Sequence, residues 1–180
     1  VYELFVLGQL MDHDMAGYQL RKALVTVVGQ EQTVSYGVLY PLLDRLNRAG
    51  DIVLASGAGS RSKRAATLTA QGRAHFQRLV LRPVTINKQA QLAFQIKCNF
   101  LHLLDAAGQQ TVLRDFQAFS QAQLVNLAAV RAYLTDHPRM VPLDVVDALG
   151  VNELQQLRAQ AQADWIAARL ADLDKGANLK

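Results

Sequence analysis

Ser35-Tyr36-Gly37-Val38-Leu39-Tyr40-Pro41 is the stretch whose reading decides the fold of this 180-residue chain. Ser35 is a favoured helix N-cap. Apolar residues follow at Val38, Leu39, Leu42, Leu43 and Leu46, the spacing of one helical face turned to a core. Gly50 supplies the stop. Reading forward, Asp51-Ile52-Val53-Leu54 is a short strand and residues 65–69 are its partner. Between them lies the basic turn Gly57-Ala58-Gly59-Ser60-Arg61-Ser62-Lys63-Arg64. Thr69 then caps a helix over residues 70–82, which Pro83 ends. Reading backward, residues 3–11 and 16–28 carry apolar residues at helical spacing, broken at Asp12-His13-Asp14 and ended at Gly29. Helix, helix, helix, strand, strand, helix is the order of a winged helix domain.

Pro41 divides the reading of the third helix. If the helix starts at Ser35, Pro41 lies inside it and crowds the carbonyl of Gly37, at a cost of about 3 kcal/mol in a regular interior. The Gly37–Pro41 pair then suggests a helix opening shaped for close approach to a backbone. If the helix starts near Tyr40, Pro41 is simply its first residue. Tyr36 and Tyr40 stand one turn apart and share a face, where at least one of them is expected to meet a phosphate or sugar. Arg45 and Arg48 follow along the same helix.

Charge placement supports a nucleic-acid partner. Residues 1–82 hold ten Lys/Arg against six Asp/Glu, a net +4, whereas residues 83–180 hold nine of each. The whole positive excess therefore lies with the helix and wing. At the wing tip, Arg61, Lys63 and Arg64 beside flexible glycines can follow a phosphate backbone or enter a minor groove.

Other function classes find less support. The four histidines, His13, His75, His102 and His137, match no metal-ligand spacing, and Gly57-Ala58-Gly59 lacks the third glycine of a phosphate-binding loop. Cys98 excludes an internal disulfide framework and, on an apolar helix with His102 one turn on, reads as core. No enzyme, metal or cofactor is expected. Neither an export signal nor a membrane span is indicated, so a cytoplasmic protein is expected. The chain opens at Val1 rather than Met, and residues upstream are expected.

Beyond Pro83 the pattern is helical throughout. Residues 87–104 present Ala93, Ile96, Phe100 and Leu104, and residues 110–134 approach a seven-residue repeat through Val112, Phe116, Phe119, Leu127, Val130 and Leu134. A loop holds Pro138 and Pro142. The last helix, residues 153–173, carries two apolar stripes: Leu154, Leu157, Ala161, Trp165 and Ala168, then Ile166, Leu170 and Leu173. Two stripes exceed what one neighbouring helix covers, which points to a second subunit.

At these residues the chain resembles the PadR family of bacterial transcriptional regulators. The likeness runs through Gly17-Tyr18-Gln19-Leu20, is strongest from Ser35 through Gly37, Leu39, Tyr40 and Pro41, and continues past Gly50 to Leu68-Thr69 and Gly72. It departs at Ala65-Ala66, where many members have aromatic residues. The resemblance implies a homodimeric repressor that reads an inverted repeat in double-stranded DNA. It implies DNA contacts for Tyr18, Ser35, Tyr40 and the wing cations, and dimerisation through the last long helix. It also implies release by a small effector, such as a phenolic acid or another aromatic or toxic compound. The expected architecture is mainly α: a winged helix-turn-helix domain over residues 1–82 and an α-helical dimerisation and effector domain over residues 83–180. The other reading is a winged helix that docks proteins without specific DNA binding.

Overall fold

The computed structural model describes residues 1–28, 36–55, 64–136 and 141–177. The chain forms two compact units, Val1–Gly108 and Gln109–Lys180. The first contains helices α1 (Tyr2–Gln9), α2 (Gly17–Val28), α3 (Tyr36–Arg48), α4 (Ala70–Leu81) and α5 (Ala90–Asn99). Strands β1 (Met15–Ala16), β2 (Ile52–Leu54) and β3 (Ala65–Leu68) complete it.

Helix α1 is the centre of this unit. Leu4, Phe5, Val6, Leu7 and Leu10 are all buried, because α2, α4 and α5 pack around it. A helix apolar on every side belongs in a core rather than on a surface. Gly8 lets the Phe100 ring approach so closely that a Cβ on residue 8 would stand 2.6 Å from it. Phe100 in turn meets Phe5 at 6.1 Å and the edge of Phe76 at 5.8 Å, a favourable aromatic geometry. Since α5 packs on α1 and α2, the compact unit runs past Arg82.

The sheet is antiparallel with strand order β1-β3-β2. Met15 pairs with Ala66 and Ile52 with Leu68. The two-residue β1 was not anticipated, since a strand that short has no period to read. It is held from the side by the Thr67 hydroxyl, which donates to the Asp14 carboxylate at 2.6 Å.

The first turn of α4 grips the turn between α3 and β2. The Thr69 side chain accepts the Gly72 N–H at 3.0 Å, the N-cap bond expected of it. Its hydroxyl also lies 2.7 Å from the Gly50 carbonyl. Gln71 donates to the Ala49 carbonyl at 2.6 Å. Asp51, 3% exposed, meets His75 Nδ1 at 2.9 Å, so its buried carboxylate is hydrogen-bonded as burial requires. Gly50 takes φ +79°, the left-handed conformation that glycine adopts freely after a helix.

The second unit is a hairpin of α6 (Ala106–Asp136) and α7 (Pro142–Ala177). Gln110 bonds Asp174, Gln162 bonds Ser120, and Asn152 donates to the Leu127 carbonyl at 3.0 Å, which fixes an antiparallel register. Asn152, Ala159 and Ile166 are buried at the seven-residue spacing of a packed helix seam. Helix α7 starts well ahead of Glu153, the start expected from the sequence. Pro142 is its first residue rather than part of the loop, a position where a proline loses no helical bond.

Two glycines give opposite expectations. At Gly72 a Cβ would lie 2.0 Å from the Asp51 carbonyl oxygen. Gly72→Ala should therefore cost at least about 1–3 kcal/mol by overpacking. Gly150, inside α7 with nothing within 4 Å, should gain up to about 1 kcal/mol as alanine. Urea denaturation of both variants checks the signs.

Candidate nucleic-acid interface

Helix α3 is continuous from Tyr36 to Arg48 with Pro41 inside it, so the first of the two sequence readings describes it. Gly37, whose carbonyl loses its helical donor to Pro41, is an exposed residue. Leu39, Leu42, Leu43 and Leu46 are buried and fix the helix to the core. The opposite side presents Gly37, Val38, Pro41, Arg45 and Arg48. Val38, expected in the core, is 44% exposed: it lies one position off the buried stripe and falls on the outer face.

Two contacts set the pitch of this helix. Near its start, the Tyr40 ring packs on Gly17, where a Cβ would stand 2.8 Å from the ring. The Tyr40 hydroxyl oxygen is buried. In this arrangement Tyr40 packs α3 against the start of α2. Near the end of α3, the Asn47 side chain accepts the Leu54 N–H at 3.0 Å, tying the helix to the wing strand. Sequence reasoning missed Asn47, and a lone asparagine in a last helical turn carries no signal for such a role.

The remaining candidates fall around that face. Tyr18 follows Gly17 in the first turn of α2 and is 52% exposed. The Arg45 guanidinium stands 3.7 Å from the Glu3 carboxylate, its side chain 61% exposed. Arg48 donates to the Asp44 carbonyl at 3.3 Å. Arg64 is half-buried beside β3, where Ala55 N–H bonds the Ala65 carbonyl at 2.9 Å and extends the wing ladder. Ser35, Arg61, Lys63 and the side chain of Tyr36 lie outside the described residues. The structure thus brings Tyr18, Gly37, Pro41, Arg45 and Arg48 to exposed positions on α2 and α3, with Tyr40 behind them.

Among the described residues no group of three His, Cys, Asp or Glu is placed to hold a metal, and no helix is long and apolar enough to cross a membrane. His75 is engaged with Asp51, and His102 lies 3.6 Å from Asp12. Cys98 is half-buried.

A helical core, an α2–α3 pair with one outward face, and a β-ribbon beside it define the winged helix-turn-helix class. Within it, residues 6–78 match the model of the Transcriptional regulator PadR-like family. No curated protein matches the chain. Among solved structures, Bacillus subtilis PadR in complex with operator DNA is similar at 20% identity, over 94% of this chain and 96% of that one, with a TM-score of 0.42. The same regulator in complex with p-coumaric acid is similar at 20% identity, over 96% and 98%, also at 0.42. The Vibrio cholerae virulence activator AphA is similar at 17% identity, over 97% and 99%, at 0.40. Likenesses this distant carry no argument about ligands.

The packing role of Tyr40 separates two variants. Tyr40→Ala should lower stability by about 2–3 kcal/mol, less than a fully buried aromatic would lose. Tyr40→Phe should stay within about 1.5 kcal/mol of the parent, the cost of one hydrogen bond. Equal losses in thermal and urea melts would contradict ring packing as the main contribution.

Proposed function

We propose that this protein is a sequence-specific DNA-binding transcriptional regulator, acting as a homodimeric repressor released by a small effector. The observation that carries this reading is the outward face of α3. Gly37 and Pro41 give it a low profile, Val38 offers an apolar surface of the kind that meets thymine methyl groups, and Arg45 and Arg48 supply cations for phosphates. This face lies in the half of the sequence that holds the whole net positive charge. On this reading residues 1–82 hold the operator, with Tyr18, Ser35, Tyr36, Arg61, Lys63 and Arg64 around the helix. Residues 83–180 supply dimerisation and effector response.

The dimer is supported by the outer side of α7. Leu143, Val146, Leu154, Leu157 and Trp165 are between 44% and 77% exposed, a run of large apolar groups that a lone hairpin leaves in water. A second copy covering them aligns two recognition helices for half-sites about one helical turn apart. An effector that favours a dimer with a different spacing then releases the operator by population shift.

The test is binding of the purified protein to DNA from upstream of its own gene, against scrambled DNA, across a salt series. Selective binding is expected, with log K falling as log salt rises. Arg45→Ala should reduce the slope by about 0.9 for each phosphate that the arginine neutralises while changing stability by no more than about 1 kcal/mol. Equal, weak binding to both DNAs would favour protein docking instead. Leu157→Glu should give a monomer by light scattering and lose selective binding with its folding intact.

A further inference from the structure

The first two turns of α3 turn a purely apolar set of side chains to the outside. Gly37, Val38 and Pro41 are exposed there, and Val38 and Pro41, three residues apart, share a face. None of the three side chains holds a hydrogen-bond donor or acceptor. The charged residues of the outward face come later. Arg45 stands 3.7 Å from the Glu3 carboxylate, and the Arg48 Nε donates to the Asp44 carbonyl at 3.3 Å. At 1.5 Å of rise per residue, Arg45 lies about 10 Å further along the axis than Val38. A valine inside a helix is held in essentially one rotamer, so the two methyl groups of Val38, 44% exposed, have a fixed place. Gly37 beside it adds no bulk, which lets so short a side chain reach whatever the helix is laid against.

Base edges in the major groove differ in their donors and acceptors, and thymine adds a C5-methyl group that apolar side chains read. We propose that Val38, backed by Pro41, reads a C5-methyl group on one pyrimidine of the half-site, and that it reads the methyl group rather than the base. This inference rests on the DNA-binding reading above and adds a chemical specificity to it. The group at C4 is an oxygen in thymine and an amine in cytosine. Among the described side chains exposed on the first two turns of α3, none can tell that oxygen from that amine. A 5-methylcytosine therefore satisfies the position as thymine does. Uracil and unmodified cytosine, which lack the methyl group, do not. Methylation of a cytosine at this position turns a weak site into a strong one, so the affinity of this surface for DNA responds to a modification of the DNA itself.

The experiment uses the full chain and the upstream DNA fragment that it selects over scrambled DNA. Each thymine of that fragment is replaced in turn by deoxyuridine, which removes one methyl group and changes no hydrogen bond. At one position the replacement should weaken binding about fourfold for each half-site altered, the worth of one buried methyl group. There, 5-methylcytosine paired with guanine should bind like thymine, and cytosine like deoxyuridine. Val38→Ala should bind all four duplexes alike and, as a change at an exposed helical position, should melt as the parent does. Arg45→Ala should weaken all four by one common factor and keep their ratios. A flat deoxyuridine scan would overturn the methyl reading while selective DNA binding stands. So would 5-methylcytosine bound as weakly as cytosine, or a thymine preference that survives in Val38→Ala. Loss of selectivity for every upstream fragment would overturn the regulator reading itself, and this inference with it.

Discussion

The Asp51 carbonyl lies where a side chain on Gly72 would stand, and the placement of the outward face of α3 depends on that approach. Thr69, Gln71 and His75, on or just before the first turns of α4, reach Gly50, Ala49 and Asp51 in turn. Those three residues are the bridge from α3 into β2. Asn47 closes the same circuit from the other side through Leu54. The end of the candidate recognition helix and the root of the wing are therefore held by one hydrogen-bonded cluster. Such a cluster is rigid only while every buried member is satisfied, which is why a buried aspartate is tolerated at the junction.

Much of this unit was legible in the sequence because its elements carry their own punctuation. Thr69 and Pro83 bracket α4, Gly50 ends α3, and the stripe Leu39, Leu42, Leu43 and Leu46 names the buried side. What the sequence withheld was direction. Tyr40 was recognisable as important, yet nothing in its spacing says that its ring packs on Gly17. Val38 shows the same gap from the other side, an apolar residue that the pattern alone would bury. The strand Met15–Ala16 and the Asn47 tie depend on partners about fifty and seven residues away, and no local signal announces them.

The hairpin of α6 and α7 carries apolar residues on both its inner and its outer side. Its seam holds Ser120, Asn152 and Ala159, small or polar groups that bring two backbones together and define a register. Its outside holds Leu143, Val146, Leu157 and Trp165. Ile166 and Leu170 share that seam, so the hairpin buries large apolar groups on its inner side and leaves others on its exterior. The two stripes visible in the sequence were real, but the stripe richer in large residues is the outer one. The first third of α7 escaped notice for a related reason: Val145 and Val146 alternate with Asp144 and Asp147, and a proline stands at the head of the helix.

Gly8 and Gly72 have a consequence for how this sequence can change over time. Both occupy crossings where the neighbour is a ring or a backbone carbonyl, and both neighbours are themselves buried or held in a hydrogen-bonded turn. Leucines in the core can be exchanged for other hydrophobes by compensating changes nearby, because volume can be redistributed. Space beside a carbonyl cannot be redistributed in that way. Drift in this lineage should therefore be freer at the core leucines than at Gly8, Gly17 and Gly72, so that a variant library would be filtered severely where the chain has the least to lose in mass.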